Sequence, residues 1–99
     1  MNKREIVQKI RPNYRLTLFI TGATVRSTRA LANVRAFCDG ELAGDYDLEV
    51  VDLYETPERA RSDQVVAAPT LIRHDPKPLR RVIGDMTDRR RLNDIVKVA

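Results

Sequence analysis

Apolar and polar residues alternate in the segment 14–20, and this alternation is the first firm pattern in the chain. Every second residue from Leu16 to Ile20 is apolar, which is the spacing of a half-buried β-strand. Phe19 falls on the opposite side, so we expect both faces of this strand to be covered. Residues 1–13 carry a short helical pattern that a proline interrupts, and we interpret them as an N-terminal arm.

A helical pattern and a second alternating pattern follow. Apolar residues recur every three to four positions over residues 31–42, and Thr24 or Ser27 can cap the start of this helix. Alternation returns over residues 46–53 and predicts a second strand. A strand, a helix and a strand within about 40 residues predict a right-handed crossover between parallel strands.

The segment 56–69 predicts a short second helix. Pro57 followed by Glu58 is a helix-start signal, because proline loses no hydrogen bond at the first helical position and an acidic residue suits the helix dipole. We expect this helix over residues 60–66. It is ended by Pro69, since a proline disfavours helical geometry at the residue before it.

Two strands and a last helix complete the expected order. Residues 70–73 and 79–83 have strand-like composition, and a hairpin-length connection at 74–78 separates them. Asp88 is placed to cap a terminal helix. The expected inner face of that helix consists of Leu92, Ile95 and Val96. The order βαβαββα predicts an α/β protein with a thioredoxin-like fold.

Length and composition allow one domain and exclude a membrane span. The chain has 99 residues, of which 42% are hydrophobic and 32% charged. A chain of this size buries roughly 65% of its unfolded surface, so we expect residues 14–99 to form a single domain. No apolar run approaches the ~18 residues that a membrane span needs, and no signal-type stretch follows the charged start. We therefore expect a cytoplasmic protein.

Charge is segregated along the chain. Residues 1–38 hold eight basic residues against one acidic residue, residues 39–58 hold eight acidic residues and no basic one, and residues 59–99 hold ten basic residues against five acidic ones. Complementary charged faces steer association between proteins. The segregation therefore favours protein partners or self-assembly over a uniformly basic nucleic-acid binder, and the alternative interpretation is ordinary solvated surface.

Residues for catalysis and metal binding are missing where they are expected. A thioredoxin-like enzyme holds its nucleophilic thiol at the turn after the first strand. This chain has Thr24 and Ser27 there, and an alcohol cannot form the mixed disulfide. Cys38, the only cysteine, is expected to be buried, and a redox protein that uses it is the enzymatic alternative. His74, the only histidine, has too few ligands near it in sequence. We predict no catalytic residue, no metal site and no cofactor.

The densest basic cluster consists of residues 80–81 and 89–91, five arginines in all. Such a cluster can bind phosphates, so a basic nucleic-acid-binding protein is a further alternative. Interleaved aromatic residues and a recognisable nucleic-acid motif are missing. The planar guanidinium groups suit carboxylates on a protein partner equally well.

Four stretches of sequence carry a resemblance to a known family. They are LTLFITG at 16–22, DLYETP at 52–57, AAPTL at 67–71 and PLRRVIGDMT at 78–87. Over residues 14–92 the chain resembles the KaiB family of circadian clock proteins. The block that ends in RRVIGD is specific to that pattern, whereas APTL is shared with thioredoxins generally.

The resemblance implies binding rather than catalysis. It implies a non-enzymatic adaptor for KaiC, a ring-shaped ATPase, in a circadian clock or in a timing or stress system, with other clock or signalling proteins as further partners. It also implies two folds: a resting fold that assembles into dimers or tetramers, and a thioredoxin-like monomer. The two share the first half of the chain and differ after about residue 50, and a few kcal/mol between two packings suffice for such switching.

The resemblance also points to residues for partner binding. Gln64 stands where cyanobacterial members of the family carry a lysine implicated in partner contact. We assign partner binding to this position and to Arg73, Arg80 and Arg81.

A second set of residues is assigned to the switch between folds. Gly84 and Asp85 match the place where the family's preference between the two folds is sensitive. Pro69, Pro76 and Pro78 match a proline-rich segment whose bonds isomerise during switching, a step of tens to hundreds of seconds.

Overall fold

The computed structural model describes residues 13–97 of the chain. Seven elements follow one another in the predicted order βαβαββα. They are β1 (Tyr14–Ile20), α1 (Val25–Glu41), β2 (Tyr46–Asp52), α2 (Glu58–Ser62), β3 (Thr70–Asp75), β4 (Arg80–Ile83) and α3 (Arg89–Val96). The predicted arm at 1–13 lies outside the described residues except for Asn13, and no helix within 13–97 is long and apolar enough to cross a membrane.

The four strands form one mixed sheet in the order β2-β1-β3-β4. β1 and β2 are parallel, as the strand, helix and strand pattern predicts, and α1 is the crossover between them. β3 is antiparallel to β1, and β4 is antiparallel to β3. Consequently β2 and β4 are the edge strands of the described sheet, and both run in the direction of β1.

The main apolar core lies between one face of the sheet and the helices α1 and α3. It is a cluster of twelve buried residues: Leu16, Leu18, Ala30, Val34, Phe37, Cys38, Leu42, Leu71, Val82, Met86, Leu92 and Ile95. The predicted caps are confirmed. Thr24 Oγ1 accepts a hydrogen bond from Ser27 N at the start of α1 (3.1 Å), and Asp88 Oδ1 accepts one from Arg90 N at the start of α3 (3.0 Å).

The opposite face of the sheet carries a smaller core. Phe19, Val51 and Ile72 are buried there, and Leu53 and Val65 pack against them. The prediction that β1 is covered on both faces is thereby confirmed. We call this side of the sheet the Phe19 face.

The second helix is shorter than the predicted 60–66, and that prediction is wrong at its end. α2 stops at Ser62, and the Asp63 amide donates to Arg59 O at 3.0 Å. Gln64 then adopts a φ of +56°, which turns the chain so that Val65 packs on the Phe19 face. Burial of an apolar side chain against the sheet decides where the helix ends.

β3 is longer than the predicted 70–73, because its pairing with β1 continues. Asp75 lies opposite Arg15 in the ladder, and Arg15 Nη1 forms an ion pair with Asp75 Oδ2 at 3.3 Å. The connection to β4 is therefore shorter than the predicted 74–78, since only residues 76–79 separate the two strands.

Candidate partner-binding site

Gln64 and Arg81, two of the four residues assigned to partner binding, lie together on the Phe19 face. Arg81 is opposite Ile72 in the β3–β4 ladder. Its guanidinium donates from Nη2 to Asp63 O at 2.9 Å and from Nη1 to Gln64 O at 3.3 Å. Arg81 thus joins the edge strand to the residues that follow α2, and both Gln64 and Arg81 are exposed. A shallow groove surrounds the pair, here called the Gln64 groove, lined by Ser62, Asp63, Gln64, Ile72, His74, Leu79 and Arg81.

A half-buried series of hydrogen-bonded polar side chains crosses the sheet at the groove. His74 Nε2 lies 2.9 Å from Thr17 Oγ1, and Thr17 Oγ1 lies 3.4 Å from Glu49 Oε1. Burial lowers the pKa of His74 below its ordinary value, and the nearby positive charges of Arg15 and Lys77 lower it further against the opposing effect of acidic neighbours. The imidazole is therefore neutral at neutral pH and acts as a hydrogen-bonding group of the sheet.

Arg59 fastens α2 to the edge of the sheet. It donates to both carboxylate oxygens of Glu49, from Nη2 at 2.9 Å and from Nη1 at 3.2 Å, and from Nε to Asp63 Oδ2 at 3.1 Å. Its guanidinium carbon also lies 5.9 Å from the centroid of the Phe19 ring. The hydrogen bonds from Arg59 hold the pKa of Glu49 below its usual value. α2, and with it one wall of the Gln64 groove, is positioned by this arginine.

Arg80 is separated from Arg81 by the alternation of the strand. It lies opposite Arg73 in the β3–β4 ladder and shares its side of the sheet with Val82, a member of the main core. Arg80 is half-buried. The structure therefore places Arg80 and Arg81 on opposite faces, and only Arg81 lines the Gln64 groove.

Arg73 lies inside the domain rather than on its surface. Its side chain is fully buried, and the guanidinium donates to three backbone carbonyls, those of Ile95 (2.9 Å), Pro78 (2.7 Å) and Lys97. Burial lowers the pKa of Arg73, and the nearby charge of Arg80 lowers it further. In this conformation Arg73 fastens the end of α3 to the sheet and offers no surface to a partner.

The residues assigned to the fold switch lie at the two ends of β3. Pro69 precedes the strand, and its carbonyl accepts a hydrogen bond from Gly84 N at 2.9 Å. Gly84 has a φ of +119°, a conformation that favours glycine. Pro76 and Pro78 lie in the connection at the other end. The peptide bonds before all three prolines are cis.

Asp85 holds the segment after β4 in place. Its carboxylate accepts hydrogen bonds from Thr87 N (3.2 Å) and Thr87 Oγ1 (2.8 Å), and its carbonyl accepts one from Asn33 Nδ2 of α1 (3.0 Å). The hydrogen bond from Thr87 lowers the pKa of Asp85, and the charge of Arg29 contributes. Gly84 and Asp85 thus connect β4 both to the start of β3 and to α1.

The turn between β1 and α1 holds hydroxyl groups in the place of thiols. Thr24 Oγ1 and Ser27 Oγ lie 3.0 Å apart and serve the helix cap. The prediction that Cys38 is buried is confirmed, and burial raises the pKa of its thiol to about 11. Within residues 13–97 no group of three His, Cys, Asp or Glu side chains is placed to hold a metal ion.

Arg59 and Thr17 build the surroundings of the groove, and neither was among the residues predicted from the sequence. The four-residue spacing of Arg59 and Asp63 on a predicted helix is a recognisable ion-pair signal. The contact of Arg59 with Glu49 has no local signal, because ten residues and a turn separate them. The contact of Thr17 with His74 depends on the pairing of β1 with β3, 57 positions apart.

Comparison with known proteins identifies the family. The family model described as KaiB domain matches residues 17–98. The chain is 44% identical over 73 residues to the circadian clock protein KaiB3 of Synechocystis, an alignment that covers 74% of this chain and 72% of the relative. It is 42% identical over 82 residues to the circadian clock oscillator protein KaiB of Prochlorococcus marinus strain MIT 9313, covering 83% of this chain and 69% of the relative.

Solved structures with low sequence identity share the fold. The N-terminal domain of Synechococcus elongatus SasA superposes with a TM-score of 0.70 at 20% identity, covering 83% of this chain and 79% of that domain. Mitochondrial thioredoxin 3 of Saccharomyces cerevisiae superposes with a TM-score of 0.66 at 17% identity, covering 92% of this chain and 84% of the thioredoxin. The thioredoxin-like fold is therefore shown, and by its sequence this chain belongs to the KaiB family.

Proposed function

We propose that the protein is a non-enzymatic adaptor that binds a KaiC-type ring ATPase and acts in a circadian clock or a related timing or stress system. The observation that carries the proposal is the family match over residues 17–98, together with relatives that are named circadian clock proteins. The turn where thioredoxins hold their nucleophile supports binding over redox chemistry, because its hydroxyl groups serve a helix cap.

The Gln64 groove is the part of the described surface that we assign to the ATPase. It combines the exposed arginine Arg81 with the apolar side chain of Leu79, which is 40% exposed, and its lining includes the buried Ile72. Arginine beside apolar side chains is a common composition for the centre of a protein interface. Arg59 and Arg81 hold the groove walls by hydrogen bonds, which lowers the ordering cost of binding.

The direct test mixes the purified protein with its cognate KaiC-type ATPase and ADP or ATP, and detects a complex by size-exclusion chromatography. We expect Arg81→Glu to weaken binding by about tenfold or more, because a charged contact at an interface is replaced by a repulsive one. Arg90→Glu is the matched control, since the Arg90 side chain is 94% exposed on α3, outside the groove. The absence of a complex with the cognate ATPase, both in ADP and in ATP, would contradict the proposal.

We further propose that the chain populates a second fold, rearranged after about residue 50 and assembled as a dimer or tetramer. The supporting observation is the joint formed by Pro69, Gly84 and Asp85, where single hydrogen bonds connect the end of β4 to the start of β3 (Gly84 N to Pro69 O) and to α1 (Asn33 Nδ2 to Asp85 O). Gly84→Ala and Asp85→Arg each disturb this joint, so we expect both to change the ratio of oligomer to monomer. An unchanged distribution in both variants would indicate a chain with one fold.

A further inference from the structure

His74 is the residue of the Gln64 groove whose charge can change near neutral pH. It is the only histidine of the chain, and its half-buried side chain lines the groove. Histidine has an ordinary pKa of about 6.5, which lies within the range between pH 5 and pH 8. The function proposed above does not use this residue, although the charge of the groove wall depends on its protonation.

Hydrogen bonding connects His74 to a carboxylate that is already paired. Its Nε2 lies 2.9 Å from Thr17 Oγ1, and that hydroxyl donates to Glu49 Oε1 at 3.4 Å. A protonated imidazole can only donate hydrogen bonds, so it reaches Glu49 only through the hydroxyl. Both carboxylate oxygens of Glu49 accept hydrogen bonds from Arg59, at 2.9 and 3.2 Å. The negative charge of Glu49 is therefore matched by Arg59 before His74 is protonated.

Two further acidic residues near His74 are paired as well. Asp75 forms an ion pair with Arg15 at 3.3 Å, and Asp63 forms one with Arg59 at 3.1 Å. Among the described residues, the charged groups around His74 are Arg15 of β1, Glu49 of β2, Arg59 of α2, Asp63 after α2, Asp75 of β3, Lys77 of the connection to β4 and Arg81 of β4. Burial lowers the pKa of His74 below its ordinary value, and this nearly even balance of charges does not offset the burial.

A partner that fills the groove covers the part of His74 that still contacts water. Loss of water disfavours the charged form of a histidine, so a bound partner makes protonation of the imidazole harder. Coupling between two binding events is reciprocal. Protonation of the imidazole must therefore weaken the binding of the partner by the same factor by which the partner weakens the binding of the proton.

We propose that protonation of His74 regulates the Gln64 groove, so that the protein holds its partner at neutral pH and releases it on acidification. The inference rests on the proposed function, because the partner is the ATPase assigned to that groove, and it adds what regulates the contact. A single proton sets the limit of the effect. The affinity falls by about tenfold at most for each pH unit below the midpoint at which His74 of the free chain is protonated.

The first measurement uses the chain alone and follows the ring proton on Cε1 of His74 by NMR between about pH 8 and about pH 5. The untagged chain gives one such signal, because it has one histidine. We expect a midpoint below 6.5 in the folded chain and a return towards about 6.5 in urea. A folded-state midpoint at or above 6.5, or a ring that stays neutral down to about pH 5, would overturn the inference without any use of the ATPase.

The second measurement compares the pH dependence of binding to the cognate ATPase in the wild type and in His74→Gln. Glutamine keeps a hydrogen-bonding group beside Thr17 and does not titrate. The dissociation constant of each chain is divided by its own value at about pH 8, and the ratio of the two profiles removes the titration of the ATPase itself. At one pH unit below the NMR midpoint, we expect the Kd of the wild type to have risen about fivefold or more relative to that of His74→Gln.

The matched control moves the histidine out of the groove. Asn93 is exposed on α3 and does not line the groove, so the double variant of His74→Gln with Asn93→His should show the same profile as His74→Gln. A double variant that regains the pH dependence, or a wild type whose profile is parallel to that of His74→Gln, would refute the regulation and leave the proposed function standing. The absence of a complex at every pH would refute the proposed function and, with it, this inference.

Discussion

Replacement of Arg73 by alanine tests whether a buried guanidinium fastens α3 to the sheet. The side chain is fully buried, and its three acceptors are the carbonyls of Pro78, Ile95 and Lys97. Among the described residues, no carboxylate forms an ion pair with it. The substitution therefore removes hydrogen bonds and packing and leaves no unpaired acidic group behind.

The expected loss of stability follows from these contacts. A hydrogen bond to a charged group contributes about 1.5–3 kcal/mol, and each buried methylene that is lost costs about 0.8 kcal/mol. Removing a buried charge without a counterion recovers several kcal/mol of desolvation, and the carbonyl of Lys97 can regain water because that residue is exposed. We expect Arg73→Ala to lower the free energy of unfolding by about 3 kcal/mol, within the range seen for large-to-small core substitutions.

Urea unfolding followed by circular dichroism measures this loss. With a slope of about 1.5 kcal/mol per molar urea, the midpoint should fall by about 2 M. Arg73→Met keeps most of the buried volume and should lose about half as much, since only the hydrogen bonds disappear. Arg90→Ala is the exposed control and should change stability by no more than about 0.5 kcal/mol. An Arg73→Ala chain within that same margin would refute the role of the guanidinium.

Three further results are expected. Native Cys38 should resist a thiol reagent at neutral pH and react on unfolding, because burial raises the pKa of its thiol to about 11. Rapid reaction of the native chain would support the alternative of a redox protein that uses Cys38. The free energy of unfolding should fall as the pH drops below 6.5. Burial lowers the pKa of His74 in the folded state from that value, so the unfolded chain binds the proton more readily. A pH titration of the unfolding midpoint should show this step in the wild type and not in His74→Gln. Gly84→Ala should destabilise this fold by about 1–3 kcal/mol through backbone strain at φ +119°. A steric clash does not contribute, because nothing lies within 4 Å of the added methyl group. A thermal midpoint equal to that of the wild type would contradict the strain.

The sequence predicted best where one local signal decides the outcome. The alternation around Leu16 and Leu18 placed β1 and its two covered faces, and the hydroxyls of Thr24 and Ser27 marked the start of α1, where Thr24 is the cap. Prediction failed at the end of α2, because the position of Val65 against Phe19 depends on a sheet that is formed by distant segments. The same limit explains Arg73, whose strand position was assigned correctly, because its burial and its acceptors depend on α3 and on the connection between β3 and β4.

In the candidate site, too, some features could be predicted from the sequence and others depend on the tertiary structure. The family resemblance singled out Gln64, and the basic cluster singled out Arg80 and Arg81, but adjacent residues of a strand face opposite sides. Only the observed pairing of β3 with β4 shows that Arg81 lies on the Phe19 face together with Gln64. The role of Arg59 in positioning the wall of the groove can be recognised only from the contact between β2 and α2.

The sequence by itself determined the order of the elements, the family and the absence of a thiol at the first turn, because each of these depends on residue types at short spacings. Tertiary structure alone decided which charges meet, which arginine is buried and which strands lie at the edges. The physical reason is that strand order and register bring together residues tens of positions apart, and local patterns of polarity do not contain that pairing.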